Sequence, residues 1–203
     1  DKSRAWPRPE NLALLARSTK QSVVCIVMVR DIAAIAASFL RRVHACPPDT
    51  AYIDVALKKA GRPRTDAERV EWLLSPGGTV YESYEALRAG YESEWRSSMH
   101  LIEYDELVGR PHDTLARLYE ALEMPPFDHD LVNIENPTPE RDYVYGIPGL
   151  HQVRPALRSI APAPATVLAP EVLARCQAVP HFWREHGVTP PGTPTRNPLH
   201  LTS

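Results

Sequence analysis

The sequence has no apolar run near the roughly 20 residues a membrane-spanning helix needs, so nothing in it reads as a helical membrane protein. Its three cysteines, Cys25, Cys46 and Cys176, are odd in number and widely spaced. That excludes a disulfide framework and a Cys-x-x-Cys zinc or redox motif, and the expected compartment is reducing, the cytoplasm. The eight histidines form no His-Glu-x-x-His or Cys/His set, so no metal is expected. Neither sign of charge dominates: 23 Lys and Arg face 25 Asp and Glu, a net charge of -2. Nucleic acid and acidic membrane surfaces are therefore not expected partners through long-range attraction. No Gly-x-x-x-x-Gly-Lys loop occurs, and Gly77-Gly78 follows a helical pattern and reads as a cap. The chain opens on Asp1-Lys2-Ser3-Arg4, without an initiator Met or a signal-peptide core, and is expected to be the interior of a longer protein.

What is present is an ordinary globular composition of 203 residues, 43% hydrophobic and 24% charged, sized for one large domain. Proline reaches 21 residues and gathers between elements and near the end. We expect one domain over residues 1–188 and a Pro-rich tail over 189–203, where Pro190-Pro191-Gly192-Thr193-Pro194 reads as extended chain.

Leu12, Leu14, Leu15 and Ala16 predict a helix from Glu10 to Ser18 after Pro7 and Pro9. The continuous run Val23 to Val29 is β-branched and too short for a buried helix; it predicts a central strand covered on both faces, as in parallel sheets. Asp31 can cap a following helix whose apolar face is Ile32, Ile35, Ala36, Phe39, Leu40 and Val43. Residues 49–65 are poorly patterned. Helices are expected over Asp66–Leu74 and Tyr81–Arg96, a strand over Met99–Tyr104, and a helix opened by Pro111 and Asp113 and stopped by Pro125-Pro126. Trp72, Trp95, Trp183 and Tyr119 read as core anchors. Strands alternating with helices predict an α/β fold: a three-layer domain with a short parallel sheet.

Ligands of such sheets bind beyond the carboxyl ends of the strands, where a helix N-terminus offers backbone N–H groups to phosphate. Arg30 leaves the first strand at that position, and Ser38 lies eight residues, about two helical turns, further on. Spacing alone leaves two readings open: Arg30 and Ser38 hold an anion, or Arg30 pairs with Asp31 or Glu103 and Ser38 is a small packing residue.

The stretch Ile26-Val27-Met28-Val29-Arg30-Asp31 with Ala36-Ala37-Ser38-Phe39 resembles the 3′-phosphate-binding strand and helix of sulfotransferases that use 3′-phosphoadenosine-5′-phosphosulfate (PAPS). Ile102-Glu103-Tyr104-Asp105-Glu106-Leu107 is similar to the family's Tyr-Glu-Asp-Leu segment, which implies that Tyr104 lies against the adenine. Gly149-Leu150-His151-Gln152-Val153-Arg154 resembles the Gly-Leu-His-x-Val-Arg loop of a bacterial branch, which implies that Gly149, Leu150, His151 and Arg154 close over the 3′-phosphate. The opening Asp1-Lys2-Ser3 resembles a turn of glycan-modifying sulfotransferases, implying Asp1 as the base and Lys2 beside the transferred sulfonate, with Asp in place of the more usual Glu.

The resemblance covers roughly Asp1 to Trp183 and implies a P-loop-kinase-like sulfotransferase fold without its N-terminal strand, loop and helix, where the family cradles the 5′-phosphosulfate. The implied reaction moves a sulfonate from PAPS to a hydroxyl or amine of a small-molecule or carrier-bound acceptor, leaving adenosine 3′,5′-bisphosphate and needing no metal. Acceptor choice is expected to lie in Cys46–Gly78 and Pro137–Pro148. The alternatives are a non-catalytic nucleotide-binding or interaction module of the same fold and, behind it, a nucleotide-kinase-like phosphotransferase, which needs the same absent loop.

Overall fold

A computed structural model describes residues 4–137, 141–159 and 162–185. The chain is mixed α/β, mostly helical, with a short two-stranded parallel sheet. In order, the elements are α1 (Pro9–Thr19), β1 (Cys25–Val29), α2 (Ile32–His44), α3 (Tyr52–Lys59), α4 (Asp66–Leu73), α5 (Thr79–Tyr91), β2 (Met99–Glu103), α6 (Tyr104–Gly109), α7 (Pro111–Ala121), α8 (Pro170–Gln177) and α9 (Phe182–Glu185). No helix of the described residues is long and apolar enough to cross a membrane. The described residues divide into two compact units: 4–29, 80–126 and 181–185 form the first, and 30–79, 127–137, 141–159 and 162–180 the second.

In the first unit β1 pairs with β2 in parallel, with Cys25 opposite Met99 and Val29 opposite Glu103. The expected central strand over Val23–Val29 is corrected here. The strand starts at Cys25, and β2 is its one partner among the described residues. Cys25 and Val29 are buried, whereas Ile26 and Met28 on the opposite face are 51% and 49% exposed. On that face Ile102 is buried while its register partner Met28 is not. A strand apolar at every position is thus covered on one side only. Glu103 ends β2 by accepting hydrogen bonds from Trp183 Nε1 at 3.0 Å and Arg184 Nε at 2.9 Å, which docks α9. Among the expected anchors, Trp95 and Trp183 are buried here. Trp95 lies in the 3₁₀ turn Glu94–Ser98, where Ser93 caps a fresh start; the expected Tyr81–Arg96 helix therefore stops at Tyr91.

In the second unit Asp31 Oδ1 accepts from the Ala34 backbone N at 2.9 Å, the expected N-cap of α2. Ala33, Ala36, Ala37, Leu40 and Val43 form its buried face; the alanines leave room for α8 and α4 to pack close. Thr65 caps α4. Helix α3 was not anticipated from its weak pattern, and it is held partly by a charge: Asp54, 5% exposed, receives both Nε and Nη2 of Arg69 from α4 at 2.8 and 3.0 Å. A buried carboxylate needs such a fork to offset its lost hydration.

Candidate functional site

Arg30 and Ser38 belong to α2 and its approach. Arg30 follows directly on β1 and is half-buried, its Nε withdrawn from the surface. Ser38 is half-buried on the flank of α2 between the core face and solvent, about 9 Å along the axis from Ile32. Of the partners suggested by spacing, Glu103 is engaged by Trp183 and Arg184.

The Gly149–Arg154 segment lies in the same unit as α2 and is tightly built. The 3₁₀ turn Asp142–Tyr145 ends at Gly146, whose φ of +62° suits glycine. A Cβ on Gly146 would run into the Thr50 carbonyl before α3, and Ile147 next to it is fully buried. Across the loop, both oxygens of Asp142 bind one residue: Oδ2 takes the His151 backbone N–H at 3.0 Å and Oδ1 takes the ring Nδ1 at 2.7 Å. Burial acts to raise the Asp142 carboxyl, but the His151 N–H, the His151 ring and the Arg42 charge hold it below the ordinary carboxylate range. An ionised carboxylate can only accept, so that contact puts the neutral ring's proton on Nδ1.

Two contacts dock this loop on α2. Gly149 has φ +69°, and Arg42 Nη1 stands 3.2 Å from the position a Cβ would occupy. Rings also meet edge-on in succession: Phe39 of α2 with Tyr52 of α3 at 5.9 Å, Tyr52 with Tyr145 at 6.3 Å, and Tyr145 with His151 at 5.4 Å. Gly149, Leu150, His151 and Arg154 are all partly shielded, while Val153 between them is 45% exposed. The structure therefore brings the glycine loop onto the helix that carries Ser38.

Tyr104, half-buried, is the first residue of α6 at the carboxyl end of β2, in the first unit. Asp1 and Lys2 lie outside the described residues, as does the expected tail over 189–203. Arg42 is the residue that sequence reasoning passed over. Its signal was available: four residues after Ser38, it shares a helix face with it.

Elsewhere the chemistry is of the wrong kind for a nucleotide. A cleft of about 200 Å³ between α4 and α8 is lined by Glu68, Glu71 and Glu171 with Arg175. There the Arg175 hydrogen bond holds the Glu71 carboxyl below its ordinary range. Burial pushes the Cys176 thiol up to about 11, which leaves it a packing residue rather than a nucleophile. Among the described residues no group of three His, Cys, Asp or Glu stands where it could hold a metal ion. Comparison of the chain with protein-family models, with curated proteins and with solved structures finds no match.

Proposed function

We propose that this chain carries the nucleotide-holding part of a PAPS-dependent sulfotransferase, with a P-loop-kinase-like architecture over residues 1–188. The observation that carries the reading is the docking of the Gly149–Arg154 loop on α2, through Gly149 and Arg42 and through the ring series from Phe39 to His151. More than a hundred residues of sequence separate the two segments, yet they meet within one unit, as parts of a single anion site must. In addition, the two parallel strands are each followed within three residues by a helix, the arrangement that offers N–H groups to phosphate.

In this reading Arg30, Ser38 and Arg154 converge on the 3′-phosphate from several directions. That geometry offsets the desolvation of a dianion, and charge-assisted bonds strengthen it. The Gly149 and Leu150 backbone covers the phosphate, and Tyr104 stacks on the adenine. Transfer is in-line: an acceptor oxygen or nitrogen forms a bond to sulfur as the phosphosulfate S–O bond breaks, and adenosine 3′,5′-bisphosphate leaves. Asp1 takes the acceptor proton, and Lys2 offsets charge on the bridging oxygen.

A second reading, a module that binds the nucleotide without transferring sulfonate, is favoured by the absence of a Gly-x-x-x-x-Gly-Lys loop from these 203 residues. Both readings require recognition of the 3′-phosphate. Calorimetric titration tests that requirement by comparing adenosine 3′,5′-bisphosphate with adenosine 5′-monophosphate. The bisphosphate is expected to bind at least about tenfold tighter, and Arg30→Gln to remove about ten- to a hundredfold of that affinity, the worth of a hydrogen bond to a charged group. Equal affinities for the two nucleotides would overturn the proposal.

A further inference from the structure

We infer that Asp142 is a positioning residue of the proposed nucleotide site: by gripping His151 it holds the Gly149–Arg154 loop in the shape that binds, a role that rests on the function proposed above. Between Ile147 and Gln152 the backbone turns are held by long bonds. Leu150 N donates to the Ile147 oxygen and Gln152 N to the Gly149 oxygen, each at 3.3 Å, beyond the roughly 2.7–3.2 Å of an ordinary N–H···O bond. Asp142 supplies the short ones. Its Oδ2 accepts from the His151 backbone N–H at 3.0 Å, and its Oδ1 faces the ring Nδ1 at 2.7 Å. Bonds to an ionised group are about twice as strong as neutral ones, and both side chains are largely shielded from solvent. Because both contacts fall on one residue, they fix its backbone and its ring together. Between the two ends of this clasp, Gly146 lies against the Thr50 backbone and Ile147 is fully buried.

The chemistry of the clasp requires a carboxylate. Both partners of Asp142 must donate, so the neutral ring carries its proton on Nδ1. An asparagine has one accepting oxygen and one donating NH₂ group, and it cannot meet two donors. With its oxygen on the backbone N–H, its NH₂ faces the ring, and the ring proton moves to Nε2; turned the other way, it sets donor against donor. Charge supplies an independent criterion. A carboxylate in a site for a dianion repels the ligand, so by charge alone removing Asp142 tightens binding. If Asp142 positions the loop, removing it loosens binding. The two effects have opposite signs.

The experiment uses the ¹⁵N-labelled 203-residue chain and two variants. Long-range ¹⁵N–¹H spectra without ligand, at a pH where the ring is neutral, should show His151 protonated on Nδ1. Asp142→Asn should move that proton to Nε2 and speed hydrogen exchange at the Leu150 and Gln152 amides, while the amides of α2 keep their rates. Calorimetric titration with adenosine 3′,5′-bisphosphate should then show affinity at least about fivefold weaker in Asp142→Asn and also in Asp142→Glu, which keeps the charge but displaces the oxygens by one methylene. The Glu variant decides the matter if the Asn variant fails to fold. A ring protonated on Nε2 in the unaltered chain, or bisphosphate affinity unchanged or tightened in either variant, would overturn the inference and leave the nucleotide reading standing. An unaltered chain that binds the bisphosphate no tighter than adenosine 5′-monophosphate would remove the nucleotide reading and the inference with it.

Discussion

Gly146 and Gly149 take nearly the same conformation, with φ of +62° and +69°, yet they meet different neighbours. A methyl on Gly146 would collide with the backbone of Thr50, which cannot rotate away, whereas one on Gly149 would meet the far end of the Arg42 side chain, which can. Gly146→Ala should therefore cost at least about 2 kcal/mol, combining left-handed strain with overpacking. Gly149→Ala should cost about 1 kcal/mol of stability and act mainly on anion binding. Urea denaturation of the two variants checks this, and equal losses would show that the Thr50 contact does not constrain the loop. The sequence contained the glycines and their order but not this difference, because φ and the approach of Thr50 are set by residues about a hundred positions upstream. Arg42 was more accessible to reasoning: helical arithmetic from Ser38 reaches it, and what the sequence withheld was that Gly149 lies opposite.

Individual elements were legible where a local signal stood alone. Helix α2 follows from Asp31 as cap and an alanine-rich face, and it forms from Ile32 to His44 as the pattern predicts. Helix α3 escaped because it is short, with only Ile53 and Leu57 as its buried apolar residues, and because the Asp54–Arg69 fork that also holds it leaves no periodic trace in sequence. The strand β1 was found, but its coverage was misjudged, since β-branched residues at every position describe a strand that can be covered twice, not one that is. His100 of β2, register partner of the exposed Ile26, gives this sheet a pH signature. Burial pushes the His100 imidazole below its ordinary value of 6.5. As pH falls, the unfolded chain takes up that proton first, so the stability held by neutral His100 is complete above about pH 6.5 and is lost as pH drops toward the folded value. Denaturation midpoints at pH 7.5 and 5.5 should therefore decline less in His100→Gln than in the unaltered chain. Parallel declines would show that His100 takes up its proton alike in the folded and the unfolded chain, and that burial does not hold it neutral.

At the scale of the whole molecule, the alternation of strands and helices pointed to one α/β domain, and the α/β character is present. The division into two units was not foreseen. It follows from α2, α3, α4 and α8 burying enough apolar surface among themselves, with Leu40, Ile53, Leu57, Leu73 and Cys176 fully buried, to form a core apart from the sheet. The alanines of α2 announced close packing but not which helices would use it. Function at this scale depends on parts as well as on the site. The nucleotide site proposed here holds the 3′-phosphate, whereas the charge that changes during transfer is on the 5′-phosphosulfate. Preorganised N–H donors act most strongly there, and losing one such donor in other enzymes costs about 2.7–4 kcal/mol, on the order of a hundred- to a thousandfold in rate. These 203 residues contain no Gly-x-x-x-x-Gly-Lys loop to provide them. We therefore expect the chain by itself to bind adenosine 3′,5′-bisphosphate without moving sulfonate, and a version that includes a phosphate loop to do both. Incubation with radiolabelled PAPS and a panel of hydroxyl and amine acceptors measures the difference. Turnover by the 203-residue chain alone would show that Arg30, Ser38 and Arg154 suffice without a phosphate loop, and the separation of holding from transfer argued here would be wrong.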